Sequence, residues 1–174
     1  MFRRVRETAP AGLVPLAWAF AIAAHRGVVG ERPVLIAHAV MVVLLVAFVV
    51  FSWGDMREGV LRAWRLVILA GIPVTLAGVA GALASPPAAA PLLAASVVGW
   101  ALLPAPALWY TGGESPGTAR TVNRVAAALS LAGVAVYLAA LAVGTAPSAS
   151  PRVAGLALVG VGQTVGIVDA ALRY

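Results

Sequence analysis

The chain has no cysteine and no lysine, and only six of its 174 residues are acidic. Without cysteine there can be no disulfide, no thiolate metal site and no thiol nucleophile. Without lysine there can be no retinal-type Schiff base, no amine nucleophile and no Walker-type phosphate loop. Two histidines and the six carboxylates are the remaining titratable groups suited to catalysis. Charged residues make up 10% of the chain, whereas a soluble domain carries about a quarter. Hydrophobic residues make up 62%, and the mean hydropathy is +0.99. A soluble chain of this size leaves roughly a third of its accessible area in water and cannot hide so much apolar surface. Disorder is excluded for the same reason. What remains is an integral membrane protein.

Crossing a hydrocarbon core of about 30 Å takes about 20 mainly apolar residues. Six stretches meet that need, at 11–27, 33–53, 66–84, 91–110, 125–144 and 153–172. Segments rich in Gly, Pro, Ser and charge separate them and read as loops. Barrel strands would alternate apolar and polar residues. The run Ala39-Val40-Met41-Val42-Val43-Leu44-Leu45-Val46 does not alternate, and in lipid a helix satisfies its own backbone within one segment. The expectation is a single all-α, polytopic domain over residues 1–174. Arg3, Arg4 and Arg6 followed by Ala21-Ile22-Ala23 look like a signal peptide with a small-residue cleavage site. More membrane follows instead of an exported domain, so this stretch is read as an uncleaved first span.

All twelve basic residues are arginines. Nine of them (3, 4, 6, 57, 62, 65, 120, 124 and 173) fall on one side of that topology, against Arg26, Arg32 and Arg152 on the other. The positive-inside rule then places both termini in the cytoplasm, as an even number of spans requires. Trp53, Trp64, Trp109 and Tyr174 fall at the expected inner ends, where amphipathic rings favour the headgroup layer. A pI near 11.3 would suggest nucleic acid in a soluble protein; here it expresses orientation and contact with anionic headgroups. The expected setting is a multi-pass protein of a prokaryotic-type plasma membrane. Gly59-Val60-Leu61-Arg62 and Gly117-Thr118-Ala119-Arg120 each open an odd-numbered span, which reads as either a trace of duplication or a basic helix entrance used twice.

Three groups of residues carry candidate chemistry. His25 closes the first span and His38 lies early in the second, so antiparallel helices bring both to similar depth. Imidazoles so placed could ligate haem b, or each could serve only as an interfacial or helix-bonding side chain. Asp169 is the one carboxylate inside an expected span, with Arg173 four residues on and on the same face, and it reads as an ion pair near the inner end. Trp18, Thr75, Trp100, Gln163 and Thr164 fall near mid-depth, and Pro73, Pro104 and Pro106 interrupt their helices. Interrupted helices with polar and aromatic groups at mid-depth are how transporters build solute sites; proline-kinked packing is the plainer account. Gly162-Gln163-Thr164-Val165-Gly166 is a G-x-x-x-G that suits either a dimer face or close packing inside the bundle.

Glu7, Glu31, Asp55, Glu58 and Glu114 lie in tails or loops without a histidine at catalytic spacing. The chain is therefore expected not to be an enzyme. The leading expectation is a small-solute permease, or the membrane subunit of a transporter, without cofactor. The alternatives are a redox subunit holding haem or quinone through His25 and His38, and an accessory subunit of a membrane complex. Expected partners are the bilayer and a homo-oligomer or larger membrane complex, with no nucleic acid.

Overall fold

The computed structural model describes residues 2–173, with side chains from Ala11 onward. Tyr174 and the side chains of Arg3, Arg4, Arg6 and Glu7 lie outside the described residues. The chain forms α1 (Phe2–His25), α2 (Glu31–Ser52), α3 (Gly59–Leu83), α4 (Ala89–Leu102), α5 (Pro104–Glu114), α6 (Gly117–Ala142) and α7 (Ser150–Ala171), with no strand among the described residues. The protein is all-helical. Five stretches are long and apolar enough to cross a membrane: α2, α3, the α4–α5 pair taken together, α6 and α7. The expected first span falls in α1, which begins nine residues earlier, at Phe2, and ends at His25. α6 likewise starts eight residues before the expected 125, because its first two turns are polar and hydropathy registers only the apolar part.

The helices follow one another in an open arc. α2 packs on α3, α3 on α4, α5 on α6 and α6 on α7, while α1 packs on α7. No extensive packing joins α1 to α2, so the two ends of the arc face each other. The strongest junction is α6 with α7, and small residues explain it. Lipid tails are as apolar as leucine, so helices associate in lipid by close packing and polar contacts. Gly133 and Gly155 face each other there: a Cβ on Gly133 would lie 2.6 Å from the Gly155 carbonyl oxygen and 2.7 Å from the Val159 nitrogen. Gly162 abuts Ala126 and Ser130 of α6, and Gly166 meets Leu108 of α5. The G-x-x-x-G of α7 is therefore packed inside its own bundle.

Proline divides α4 from α5. Pro104 has no N–H, so the Trp100 carbonyl loses its helical donor, and α4 ends at Leu102 with the Leu103 amide bonded back to Gly99 at 2.9 Å. Elsewhere, hydroxyls are absorbed locally. Thr75, Thr111 and Ser130 each donate to the carbonyl four residues back at 2.7–2.9 Å, a habit that lets them sit in an apolar helix.

α1 and α6 finish in the same way. Gly27 donates to Ala24 and Val28 to Ala23, both at 3.0 Å, while Gly144 donates to Leu141 at 3.0 Å and Thr145 to Ala140 at 3.1 Å. Gly27 and Gly144 adopt φ of 72° and 70°, the left-handed conformation such helix ends require and glycine adopts at least cost. The two G-x-x-R segments share a further local feature, since Gly59 and Gly117 open their helices at φ of 54° and 55°.

Candidate functional site

The arc encloses a cleft of about 1730 Å3 between α1 and α2. Its walls run the height of the bundle, from His25, Glu31, Ser85 and Arg152 at one end to Ser52, Asp55 and Trp64 at the other. Most of the lining is apolar: Met41, Leu44 and Phe48 of α2 face Val14, Ala17 and Ala21 of α1, with Leu93 and Val97 of α4 behind. α2 forms one wall, resting on α3 along one side, and only 6% of its most apolar stretch is buried inside the protein, against 50% for α7. A smaller hollow of about 350 Å3 lies on α6 and α7, lined by Thr118, Thr121 and apolar side chains without a charged group.

At mid-depth the cleft has a polar floor in which four of the five expected residues meet. Trp18 donates its indole N–H to Gln163 Oε1 at 3.0 Å. Gln163 Nε2 donates to the carbonyls of Trp100 and Ala101 at 3.0 and 3.1 Å. Trp100 in turn donates to Thr75 Oγ1 at 2.9 Å, and Thr75 donates to Gly71 at 2.8 Å. α1, α7, α4 and α3 are thus tied together by one chain of hydrogen bonds. Gln163 supplies the Trp100 carbonyl with the donor that Pro104 withholds, which is why a glutamine is stable in an apolar helix here. Glycine makes room for the network, since a Cβ on Gly71 would collide with the Trp100 ring and one on Gly160 would lie 2.9 Å from the Trp18 Cβ. Trp18, Thr75, Trp100 and Gln163 all line the cleft; Thr164 does not. Successive helical residues point about 100° apart, so with Gln163 turned inward Thr164 is carried to the half-exposed side.

The two histidines line the same cleft, each already bonded. His25 Nδ1 donates to the Ala21 carbonyl at 2.8 Å, so the neutral ring accepts at Nε2 from the Tyr137 hydroxyl, 3.0 Å away. His38 repeats the pattern, with Nδ1 on the Val34 carbonyl at 2.8 Å and Nε2 facing the Ser96 hydroxyl at 3.4 Å. A haem iron would need both Nε2 lone pairs, and each now has a hydroxyl partner. No group of three metal-ligating side chains occurs among the described residues. The sequence singled out neither Tyr137 nor Ser96. Tyr137 sits one turn from the end of α6 on the side where α1 finishes, so counting depth along both helices would have paired it with His25.

Near the opposite end Arg173 donates to Asp169 at 2.9 and 3.0 Å. Asp169 Oδ2 also accepts from Asn123 Nδ2 at 2.8 Å, and Asn123, fully buried, has an Oδ1 without a partner. The two charges are unequal in weight. Arg173→Ala is expected to cost no more than about 0.5 kcal/mol, because the arginine is largely exposed. Asp169→Ala should cost about 1–2 kcal/mol, because it strands a buried amide donor. Equal losses for the two variants in a detergent unfolding titration would contradict this ordering.

At the same end, aromatic rings carry guanidinium groups. Arg65 lies 4.6 Å from the centre of the Trp53 ring and Arg124 lies 5.2 Å from that of Trp109, while Trp64 donates to Thr111 at 3.2 Å. Rings and cations of this kind suit a headgroup layer.

No protein-family model, curated protein or solved structure matches the chain. The cleft and its bonds are what the function has to be read from.

Proposed function

We propose that the protein is a non-enzymatic, multi-pass protein of the plasma membrane that holds and carries a small amphiphile in the cleft between α1 and α2. It acts as a permease or as the solute-binding membrane subunit of a larger transporter. Both termini face the cytoplasm in this reading, on the arginine asymmetry and on the ring–guanidinium pairs gathered at one end. The observation that carries it is the cleft itself. Binding pockets for small molecules are mostly apolar with a few fixed polar groups and measure about 300–1,000 Å3. This one is larger, at about 1730 Å3, because it extends the full height of the helices and opens where α1 and α2 fail to meet. Such a shape admits a ligand with an apolar body from the bilayer, and the indoles of Trp18 and Trp100 offer it flat surfaces at mid-depth.

Photolabelling tests the site. A diazirine-bearing dodecanol, activated in membranes containing the protein, should mark Met41, Leu44, Leu93 and Val97, and excess dodecanol should suppress that labelling. Val43, on the outer side of α2 and 67% exposed, should be labelled without saturation, as any lipid-facing residue would be. Equal, unsaturable labelling at Met41 and Val43 would show that the cleft holds bulk lipid and defeat the reading. Protection of the cleft residues only in the presence of a co-purifying subunit would replace it with the accessory-subunit alternative.

A further inference from the structure

The His25 end of the cleft carries a cation with no acidic partner. Arg152 lines the cleft and is half-buried. Its Nε donates to Thr145 Oγ1 at 3.2 Å, and Thr145 is fixed by its own bond to the Ala140 carbonyl at 2.8 Å. The turn that ends α6 therefore aims the guanidinium, while its terminal nitrogens meet no carboxylate among the described residues. Arg152 is close enough for its charge to act on both His25 and Tyr137. Those two rings sit edge to face with centres 5.7 Å apart, joined by the hydroxyl–imidazole bond. Glu31 is the one carboxylate on this rim among the described residues; it lies on the α2 side, is exposed and is not paired with Arg152. Arg26 and Arg32, also exposed, add positive charge to the same rim.

We propose that Arg152, with the Tyr137 hydroxyl beside it, is a headgroup site for a phosphate monoester or similar small anion whose alkyl chain lies in the cleft. This rests on the amphiphile reading of the cleft and adds the sign and chemistry of the polar end. The planar guanidinium keeps its two terminal nitrogens for a bidentate grip on an oxyanion, which a lone ammonium does not reproduce. Tyr137 can turn its hydroxyl proton from His25 Nε2 to the anion, and the apolar walls below favour a ligand that carries a chain. A guanidinium aimed by Thr145 and free of any carboxylate among the described residues leaves its charge available to an anion.

Competition against the photoactivatable dodecanol tests the proposal in the full-length protein. At equal membrane concentration, dodecyl phosphate should displace the label about tenfold more effectively than dodecanol. Arg152→Gln should remove that advantage while dodecanol competes as before, which also shows that the variant is folded, and Arg152→Lys should restore only part of it. Inorganic phosphate alone should leave labelling unchanged. If dodecyl phosphate and dodecanol compete equally in the parent protein, the anion site is wrong and the cleft reading survives. If neither competes, the cleft reading itself has failed. Should inorganic phosphate protect as well as dodecyl phosphate, the site serves a free anion and the amphiphile assignment falls. An advantage for dodecyl phosphate that persists in Arg152→Gln would likewise overturn the role of this arginine.

Discussion

Gln163→Leu is expected to lower the stability of the bundle by about 3–5 kcal/mol, the sum of three side-chain bonds at about 0.6 kcal/mol each in lipid and about 1–3 kcal/mol for a carbonyl left bare. Leucine matches the bulk of glutamine but offers no acceptor to Trp18 and no donor to the Trp100 and Ala101 carbonyls. The second of these losses matters most. At a proline break the Trp100 carbonyl has no other donor within its own helix, and Gln163 is 2% exposed, so water reaches it poorly. Reversible unfolding in mixed micelles reads the effect directly. Thr164→Val, one residue on and outside the network, should change stability by less than about 0.5 kcal/mol. A loss below about 0.6 kcal/mol for Gln163→Leu would mean that the carbonyls find other donors, and the glutamine would then be free for a ligand.

Gly133→Ala should cost about 2–3 kcal/mol by overpacking, towards the upper part of the usual range. The reason is what the added methyl meets. At Gly133 the obstacles are backbone atoms of α7, the Gly155 oxygen and the Val159 nitrogen, and neither can rotate away. The helices must separate, and because Tyr137 lies one turn along from Gly133, the bond to His25 loosens with them. Gly113→Ala, where a Cβ would meet nothing within 4 Å, should instead be neutral or stabilise α5 by up to about 0.5–1 kcal/mol through helix propensity. Thermal melts of both variants in the same detergent separate a packing effect from a general intolerance of alanine. A mild result for Gly133→Ala would show that the α6–α7 seam can open without loss.

Hydropathy alone revealed that the chain is a set of apolar helices, because lipid requires each span to satisfy its own backbone. It could not reveal which helices touch. Val43 and Leu44 are both apolar, yet these neighbouring positions on α2 divide between lipid and cleft, and nothing in their chemistry assigns either. The mid-depth residues stood out because polar groups are rare there. Their bonding did not, since it depends on α7 meeting α4 at the one carbonyl Pro104 had freed. Gln163 and Thr164 looked equivalent in sequence and are not, for the angular reason given by a helix of 3.6 residues per turn. The anion-binding role proposed for the His25 end was hidden in a count that used Arg152 only to set orientation; the lack of a carboxylate partner for that arginine is visible only in three dimensions.

The pairing of α1 with α7 also has a consequence for how the molecule is made. At about 5–20 residues per second, the 145 residues separating Trp18 from Gln163 take roughly 7–29 s to synthesise. Through that interval α1 waits without its main neighbour, its indole N–H unclaimed. The wall of the cleft that α1 provides is therefore the last to be raised, although α1 is translated before α2 to α7. A ribosome that stalls before α7 leaves in the bilayer a chain whose opening helix has no seat, and that orphan is what membrane quality control would meet.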